Sequence, residues 1–445
     1  MRKQRWAALC LALALCMGLS PAARAGFQDV PRDHWAYREI ADMSAKGYLQ
    51  GSGGSFRPGE HISRQAFLSM VCRAAGLDDR TLQSGERWAD PAIAYGLYFG
   101  WFREEEMEPR DASITREFAA QLLIKALFPD EPLGSGFPIP FPDGSQVSPE
   151  RSPYVQAAVR LRVLTGNENG LLSPREEVTR ASAAVMLSRA LAARGASASP
   201  GASVQVPVLM YHDVSYLGRG YSKTPEIFRR QLQELKDAGF HTVFFSQVID
   251  YVEHGTPLPA KPVVISIDDG YATNYTYVYP ILQELEMKAE ISVIIDAIRY
   301  TTWGMSWDQL REMTESGLVS IQTHTSSLHS DTSGQGGRQG VLKLPGESWR
   351  AYVNLLGDDT RNSLDLIEQN VGVRPQVYTY PHGKWNRMAE AVSARMGCKA
   401  SLTTRDGVAV VRKGDPSSLR LMDRIGMDFL NGSVVSVLHQ FGYRS

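Results

Sequence analysis

The chain has 445 residues, which is enough for two or more domains. Its formal net charge is −1 and 43% of its residues are hydrophobic, as in an ordinary globular protein. This balance gives no support for a nucleic-acid-binding protein or for a protein held by its charge at an anionic membrane surface.

Residues 1–25 have the pattern of a secretory signal peptide. A basic start at 2–5 precedes an apolar stretch at 6–19, and the small-residue sequence 23–25 follows as a cleavage site. The apolar stretch is shorter than the roughly 20 residues that span a membrane, so we expect cleavage and secretion rather than an anchor. No other stretch is long and apolar enough to predict a transmembrane helix.

Two of the four cysteines would leave with this signal. Cys72 and Cys398 remain, and we assign them to different domains. We therefore expect an exported protein without a disulfide, stabilised by a sizeable hydrophobic core.

A degenerate repeat with a period of about 50 to 60 residues covers residues 27–195. Each unit begins with an aromatic-x-Asp sequence and an amphipathic segment. Each then reaches a second helix whose first residue is an arginine after a Ser or Thr N-cap. These cap and arginine pairs are Ser63-Arg64, Thr115-Arg116 and Thr179-Arg180. Two helices per unit predict units that bury their apolar faces against one another.

These features resemble S-layer homology domains, with a first repeat at 26–79, a degenerate second at 80–136 and a third at 137–195. The resemblance implies an all-α module of three repeats that binds an anionic secondary cell-wall polymer. It also implies a location at the cell wall or S-layer.

The same resemblance places Arg64, Arg116 and Arg180 in the polymer-binding grooves. A planar guanidinium suits this role because it can bind a carboxylate at two points. The alternative is that these arginines are solvated residues in a first helical turn. We expect Trp35 to belong to the core rather than to a ligand surface.

Residues 196–205 are small and form a predicted linker. From 206 to 445 strands alternate with helices, which predicts a parallel α/β barrel. The expected strands are 206–211, 241–245, 263–267, 289–295, 319–323, 376–380 and 400–403. The expected helices are 225–238, 246–254, 279–286, 307–316, 349–370 and 388–396.

Two adjacent carboxylates, Asp268 and Asp269, directly follow the continuous apolar run 263–267. Such a run is typical of a parallel strand buried on both faces, and α/β folds place their active sites at the carboxyl ends of these strands. The alternative is that the two acids cap a helix or form a turn with Gly270. Adjacent buried carboxylates are costly unless a cation offsets them, which suggests metal ligands elsewhere.

Two histidines, His324 and His329, follow the apolar segment 319–323. Their spacing of five does not bring both to one ion on a helix or strand, but a turn after a strand can do so. Imidazole suits Zn²⁺ and similar divalent ions. The alternative is a pair of surface or hydrogen-bonding histidines.

Three further strand ends carry polar groups. The first strand ends at His212, the turn 380–383 reads Tyr-Pro-His-Gly, and Arg424 lies in the segment 421–425. A tight turn of this kind can direct backbone N–H groups into a site. Alone, each of these signals is weak.

Together these strand ends resemble the polysaccharide deacetylases of carbohydrate esterase family four. The matching stretches are Ser266 to Gly270, His324 to His329, and Tyr380 to Gly383, and the resemblance covers residues 206–427. The spacing of the histidines and the sequence Tyr-His-Asp-Val are most similar to the poly-N-acetylglucosamine deacetylase branch. The implied fold is a distorted parallel (β/α) barrel.

The resemblance implies that Asp269, His324 and His329 bind a divalent metal ion, with Zn²⁺ as the first expectation and Co²⁺ or Ni²⁺ as alternatives. Asp268 would be the general base and His212 the general acid that protonates the departing amine. The backbone N–H of Tyr380 would help to bind the oxyanion.

The Tyr-Pro-His-Gly turn lacks the arginine that often precedes it in the family. We expect Arg424, with Arg374 in reserve, to orient the base, and a surface role is the alternative. His439 occupies a position near the C-terminus where the family often has its acid. Because 428–439 has apolar residues at helical spacing, we expect a helix there and favour His212.

We therefore predict a secreted, wall-anchored, metal-dependent N-deacetylase that acts on a polysaccharide containing N-acetylglucosamine. The alternatives are an O-acetyl polysaccharide esterase with the same site, a wall-glycan-binding protein without turnover, and an iron oxygenase. The last follows because two histidines and a carboxylate also suit Fe²⁺.

Overall fold

The computed structural model describes residues 27–77, 87–134, 138–195, 201–218 and 220–444. The predicted signal peptide and part of the predicted linker lie outside these residues. Contacts divide the chain into two compact units, one made of Met1–Ala75 and Glu104–Arg194 and the other of Gly76–Arg103 and Gly195–Ser445. No helix of the described residues is both long and apolar enough to cross a membrane.

The described part of the first unit contains helices and no regular strand. Its helices are α1 (Tyr37–Ala45), α2 (Arg64–Ala74), α4 (Glu104–Met107), α5 (Arg116–Leu127), α6 (Ser152–Arg160) and α7 (Arg180–Ala193), with α3 (Asp90–Tyr98) in the second unit. The hydroxyls of Ser63 and Thr179 accept backbone hydrogen bonds at the starts of α2 and α7, as expected for N-caps. Thr115 occupies the same position before α5 without such a bond.

A closed ring of backbone hydrogen bonds joins the residues just before these three N-caps. The N–H of Ile62 donates to the carbonyl of Val178 over 2.9 Å, Val178 donates to Ile114 over 2.9 Å, and Ile114 donates to Ile62 over 3.1 Å. Each repeat thus satisfies a backbone group of the next. The ring links the starts of α2, α5 and α7 in the same way, including the one in the predicted second repeat.

The aromatic-x-Asp sequences have a structural explanation in the first and third repeats. The carboxylate of Asp29 accepts hydrogen bonds from the N–H groups of Phe56 and Arg57, at 2.8 and 2.6 Å. Asp143 accepts equivalent bonds from Leu172 and Ser173, at 2.8 and 2.7 Å. In each repeat the acid thus holds the loop that leads into the second helix.

The second unit is built on a parallel barrel, as predicted, and the barrel has seven strands. The strand expected at 241–245 covers only His241–Thr242, and the strand Met422–Gly426 takes the seventh place. The barrel strands are β2 (Val208–Tyr211), β6 (Pro262–Asp269), β7 (Ala289–Val293), β8 (Val319–Thr323), β9 (Val377–Thr379), β10 (Ala400–Asp406) and β12 (Met422–Gly426). Their order is β2-β12-β10-β9-β8-β7-β6, and pairing of β2 with β6 closes the barrel. The remaining strands are β1 (Ser203–Val206), β3 (Asp213–Val214), β4 (Ser222–Lys223), β5 (His241–Thr242) and β11 (Ala409–Arg412).

Amphipathic helices cover the barrel. They are α8 (Pro225–Asp237), α9 (Phe245–His254), α10 (Tyr279–Leu285), α11 (Ile295–Tyr300), α12 (Trp307–Glu315), α13 (Trp349–Val371), α14 (Arg387–Arg395) and α15 (Val434–Gln440). The odd-numbered residues of β6, Val263 to Ile267, pack outward against these helices in the larger apolar cluster. The helix expected at 428–439 begins only at Val434, so that prediction was wrong for its first six residues.

Helix α3 packs on α13 and α14 within the second unit. The ring of Tyr98 lies over Gly357, where a Cβ would approach its ring atoms to 2.0 Å. The Tyr95 hydroxyl donates to the carbonyl of Ala391 over 3.2 Å, and Trp101 is fully buried. Part of the predicted second repeat therefore belongs to the same compact unit as the barrel.

The side chains of Cys72 and Cys398 are both buried, in the first and the second unit respectively. The apolar interior of the barrel unit includes a large cluster between the strands and the surrounding helices.

Candidate active site

Three potential ligand atoms converge at the carboxyl ends of β6 and β8. Oδ1 of Asp269 lies 3.2 Å from Nε2 of His329 and 3.5 Å from Nε2 of His324, and the two Nε2 atoms are 3.1 Å apart. β6, β7 and β8 are consecutive in the barrel, so their ends lie side by side. The turn after β8 brings the second histidine back to the first.

The donor set fits a divalent cation. The Nδ1–H of His324 donates to the carbonyl of Thr379 over 2.8 Å, which leaves its Nε2 lone pair directed at the cluster. Burial lowers the pKa of His324 to about 4, so its imidazole is neutral. Oδ1 of Asp269 is buried without a hydrogen-bond partner among the described residues. A cation would satisfy this oxygen, and the three ligand atoms lie within 4.8 Å of one another.

Burial by itself raises the pKa of the Asp269 carboxyl. The close contact with His329 and the proximity of the His324 imidazole outweigh burial, and the pKa falls below its usual value. The carboxylate is therefore ionised at neutral pH and available as a ligand.

The backbone is strained next to two of the three ligands. Asp269 has φ +73°, and Thr325, which follows His324, has φ +78°. Positive φ is costly for a side chain with a Cβ, most of all for a β-branched threonine. Such strain persists where the surrounding structure holds the chain firmly, as it does here around the ligands.

Asp359 on α13 holds the segment between the two histidines. Its carboxylate accepts hydrogen bonds from the N–H groups of Ser326 and Ser327, at 3.0 and 2.7 Å, and from the Ser327 hydroxyl at 2.9 Å. Our sequence reasoning missed this residue, because an acid in the middle of a long amphipathic helix gives no local signal of its partner.

Asp268 is paired with Arg424 inside the barrel. The Nη1 of Arg424 donates to Oδ1 of Asp268 over 2.8 Å and to the Ser266 hydroxyl over 3.1 Å, and its Nε donates to the carbonyl of Thr403. Burial raises the pKa of Asp268, but the Arg424 charge and the nearby histidines outweigh it and the pKa is lowered. Arg424 thus lies where we expected the base-orienting cation.

His212 lies on the other side of Asp268, with its Nε2 4.0 Å from Oδ2. Its Nδ1 is 2.6 Å from Oδ2 of Asp428, which also accepts the His212 N–H at its other oxygen. Burial lowers the pKa of His212. The hydrogen bond with Asp428 and the charge of Asp268 have a larger, opposite effect, and together they raise the pKa to about 9. Asp428 was missed because we assigned it to a helix.

The structure contradicts the role predicted for Tyr380. Its backbone N–H donates to the carbonyl of Leu402 over 3.1 Å, within the barrel ladder, and is not available to an oxyanion. Its hydroxyl donates to Glu390 over 2.6 Å, so the residue joins the strand to α14.

Two other residues considered from the sequence lie elsewhere. Arg374 forms surface ion pairs with Asp365 and Glu368, which removes it as the cation for Asp268. His439 lies on α15, and its Nδ1 is 3.2 Å from the carbonyl of Tyr443. Neither side chain has a described contact with Asp268.

The three repeat arginines each bond the backbone of another repeat. Arg64 donates to the carbonyl of Glu108; Arg116 donates to those of Leu172 and Thr165; and Arg180 donates to those of Phe56 and Gln50. They are thus structural links and not simply solvated residues. Binding of a polymer by these arginines stays a prediction. Trp35 is 65% exposed, so its expected place in the core was wrong.

Residues 255–401 match the family model for polysaccharide deacetylase. The chain contains a polysaccharide deacetylase domain. The matched range includes Asp268, Asp269, His324 and His329, whereas His212 and Arg424 lie outside it. Residues 26–68 and 140–184 match the S-layer homology domain, in the predicted first and third repeats.

Two relatives that are similar to the second unit are named N-deacetylases of a polysaccharide. A poly-β-1,6-N-acetyl-D-glucosamine N-deacetylase of Escherichia coli is 28% identical over 208 residues, which are 41% of this chain and 30% of the relative. An enzyme of the same name from Staphylococcus epidermidis is 28% identical over 174 residues, 38% of this chain and 56% of the relative. The chain therefore spans less than two thirds of either relative.

Two solved structures are similar to part of the chain. A de-N-acetylase from Aggregatibacter actinomycetemcomitans is 26% identical, with a TM-score of 0.46, and the match covers 54% of this chain and all of that one. The Streptococcus pyogenes deacetylase in complex with acetate is 22% identical with the same TM-score and coverage.

Proposed function

We propose that the chain is a metal-dependent N-deacetylase of polysaccharides that contain N-acetylglucosamine. The observation that carries this proposal is the convergence of Asp269, His324 and His329 beside Asp268. The relatives named N-deacetylases support the amide as the bond that is cleaved. Zn²⁺ is the proposed ion, because two imidazoles and one carboxylate suit it.

A divalent ion bound by these three side chains would acidify a water molecule and polarise the acetamide carbonyl. Asp268 accepts the proton of the attacking water at Oδ2, the oxygen that faces His212, since Oδ1 is bonded to Arg424. The Arg424 hydrogen bond fixes the carboxylate and keeps it ionised.

His212 then protonates the departing amine. Amide cleavage needs this acid because an amine leaves poorly as an anion. Asp428 keeps the His212 imidazole charged and fixes its orientation through Nδ1, so that Nε2 carries the proton towards the site. The proposed base and acid are therefore neighbours, with 4.0 Å between Asp268 Oδ2 and His212 Nε2, and each is held by its own charged partner.

Acetate release tests the proposal. The purified chain is incubated with N-acetylated and O-acetylated glycans, after chelation and after restoration with Zn²⁺, Co²⁺ or Ni²⁺. We expect release from N-acetylglucosamine polymers that disappears with chelator and returns with metal. Release only from O-acetylated glycans would establish the esterase alternative. No acetate from any glycan with metal restored would leave a glycan-binding protein.

We further propose that the first unit anchors the enzyme to the cell wall after secretion. The two S-layer homology matches support this location. A groove of about 460 Å³ in this unit is lined by the exposed Trp35, by Arg116 and Arg189, and by Glu168 and Glu176. It offers an aromatic face and two guanidinium groups to an anionic polymer.

Pull-down with purified wall polymer tests the anchor. We expect the full chain to sediment with the polymer and Trp35→Ala to reduce this binding. Trp88→Ala, at an exposed tryptophan of the second unit, is the control. Equal sedimentation of all three proteins would remove the groove as the binding site.

A further inference from the structure

Three aromatic rings form a continuous surface beside the candidate active site. Tyr221 and Tyr271 stack with ring centroids 6.0 Å apart and planes inclined by 29°. Trp303 continues the series, with its ring 4.8 Å from that of Tyr271. We call Tyr221, Tyr271 and Trp303 the aromatic wall. Its members come from three separate segments of the chain, before β4, after β6 and between α11 and α12.

The aromatic wall adjoins the acid–base and ligand groups directly. The ring of His212 lies 6.0 Å from that of Tyr221. Tyr271 follows the ligand Asp269 by two residues, and its hydroxyl donates to that of Tyr221 over 3.1 Å. Exposure increases along the wall, from 7% at Tyr271 to 39% at Tyr221. A group held at the ligand cluster therefore has an aromatic surface as its immediate neighbour.

One buried acid fixes two of the three segments. Asp213 accepts hydrogen bonds from the hydroxyl of Ser222, next to Tyr221, and from that of Thr273, two residues after Tyr271, each at 2.5 Å. The side chain of Asp213 is fully buried. Because both bonds end on the same carboxylate, the positions of the two tyrosines are coupled.

The third segment is fixed by its backbone. The N–H of Ala272 donates to the carbonyl of Trp303 over 2.7 Å, and the N–H of Met305 donates to that of Gly270 over 3.0 Å. Gly304 between them passes so close to α11 that a Cβ would lie 2.5 Å from the carbonyl of Ala297. The wall is therefore held in place before any ligand arrives, which lowers the entropy cost of binding.

We propose that the aromatic wall binds the apolar face of a pyranose ring, in the sugar unit next to the one whose acetyl group is removed. This inference rests on the proposed function, which identifies the ligand as a polysaccharide that contains N-acetylglucosamine. A pyranose presents C–H groups on one face, which pack on aromatic rings, while its hydroxyls remain in water. The wall thus selects a polymer over an isolated acetylated monosaccharide.

Calorimetric binding tests the wall without turnover. The full chain carrying Asp268→Asn and loaded with Zn²⁺ is titrated with pentamers of N-acetylglucosamine, β-1,6-linked in one series and β-1,4-linked in the other. We expect Trp303→Ala and Tyr221→Leu each to weaken binding of the preferred pentamer by about tenfold, as for loss of one aromatic contact. Monosaccharide binding should be unchanged by either substitution.

Two variants serve as matched controls. Tyr221→Phe keeps the ring and loses only the hydroxyl, so its affinity should remain close to that of the parent. Tyr300→Ala removes an aromatic ring that is 69% exposed and outside the wall, and it should have no effect. Equal losses in Tyr300→Ala and Trp303→Ala would contradict a specific aromatic surface.

The outcomes separate the wall from the proposed reaction. Acetate release by the unsubstituted chain, with pentamer affinities unaffected by Trp303→Ala and Tyr221→Leu, overturns the wall alone. Pentamer binding that needs both rings, without acetate release by the unsubstituted chain, supports the wall and overturns the deacetylase. No binding of either pentamer overturns the wall.

Discussion

Arg424 and Asp268 form an ion pair in which both side chains are fully buried, with 2.8 Å between Nη1 and Oδ1. They come from β12 and β6, which are separated in the barrel by β2 alone. Removing one partner of such a pair leaves an uncompensated buried charge. The pair therefore makes the ionisation of the proposed base depend on a residue outside the range matched by the deacetylase family.

We predict that Arg424→Gln moves the acidic limb of the pH–rate profile to higher pH. In the unsubstituted chain the pKa of Asp268 is lowered, so its carboxylate is ionised above that low value. The ionised base is lost only as the pH falls through this pKa. Without the guanidinium, burial dominates and the pKa rises. Kinetics of acetate release between about pH 5 and 9 measure the shift.

Arg424→Lys is the control for folding, because it keeps a positive charge in the barrel. It should retain an acidic limb nearer to that of the parent. An unchanged acidic limb in folded Arg424→Gln would show that the guanidinium does not set the Asp268 ionisation.

Substitutions of the two adjacent acids, Asp268 and Asp269, should have different effects on metal content and on the rate of acetate release. Asp269→Asn should lose Zn²⁺, because a neutral amide replaces the only charged ligand of the three side chains. Asp268→Asn should keep the metal and lose acetate release by at least about 100-fold, as for loss of a general base. Metal content by mass spectrometry, together with the rate, measures both. Full metal content in Asp269→Asn would show that the carboxylate is not a ligand.

Asp428→Asn should shift the alkaline limb of the rate profile to lower pH, by about one unit. The His212 pKa is raised to about 9, so its proton is present at neutral pH and is lost as pH rises through that value. Removal of the Asp428 charge lowers this pKa and the acid is lost earlier. Asp423→Asn, at a β12 acid paired with Arg405 on the surface, is the control. Coincident profiles for the two variants would exclude Asp428 from this role.

Asp359→Asn should weaken Zn²⁺ binding by about tenfold, in the range known for groups that hold metal ligands in place. The substitution keeps the size of the side chain and weakens its hold on Ser326 and Ser327, which lie between the two histidines. Competition with a chromophoric chelator measures the affinity. Asp365→Asn, at an exposed acid on the same helix, should not change it. Similar Zn²⁺ affinities in both variants would show that the turn between His324 and His329 keeps its conformation without Asp359.

Gly357→Ala should release α3 from the barrel unit. The added Cβ would displace the ring of Tyr98, and this overpacking costs about 1–3 kcal/mol. The gain in helix propensity is smaller, at about 1 kcal/mol. Hydrogen exchange of residues 87–103 should accelerate, while β6 and β7 stay protected. Gly432→Ala, which has open space around its Cβ position, is the control.

The sequence was sufficient for the features that depend on local pattern. The apolar run before Asp268 predicted a buried strand, and the spacing of His324 and His329 predicted a turn that brings both to one point. The structure confirms the barrel and places these side chains together. Two adjacent carboxylates at a buried strand end need a cation to offset their charge. This requirement favoured the interpretation of the two histidines as metal ligands.

Other features depend on contacts between distant segments and had no local signal. Asp428 lies two residues after the end of β12, but apolar spacing after it led us to predict a helix. The Tyr380 N–H was assigned to an oxyanion because the turn motif does not show which donors the barrel ladder already uses. The partner of Asp359 and the three segments of the aromatic wall became visible only with the fold.

The docking of α3 has a consequence for proteolysis of the chain. Because residues 76–103 belong to the barrel unit, the polypeptide passes between the two units three times, near residues 75, 103 and 194. A protease that nicks only the predicted linker at 196–205 would leave α3 bound to α13, and the two fragments would remain associated without a covalent bond. Shedding of the enzyme would then also require a cut on each side of α3, because both ends of residues 76–103 continue into the first unit.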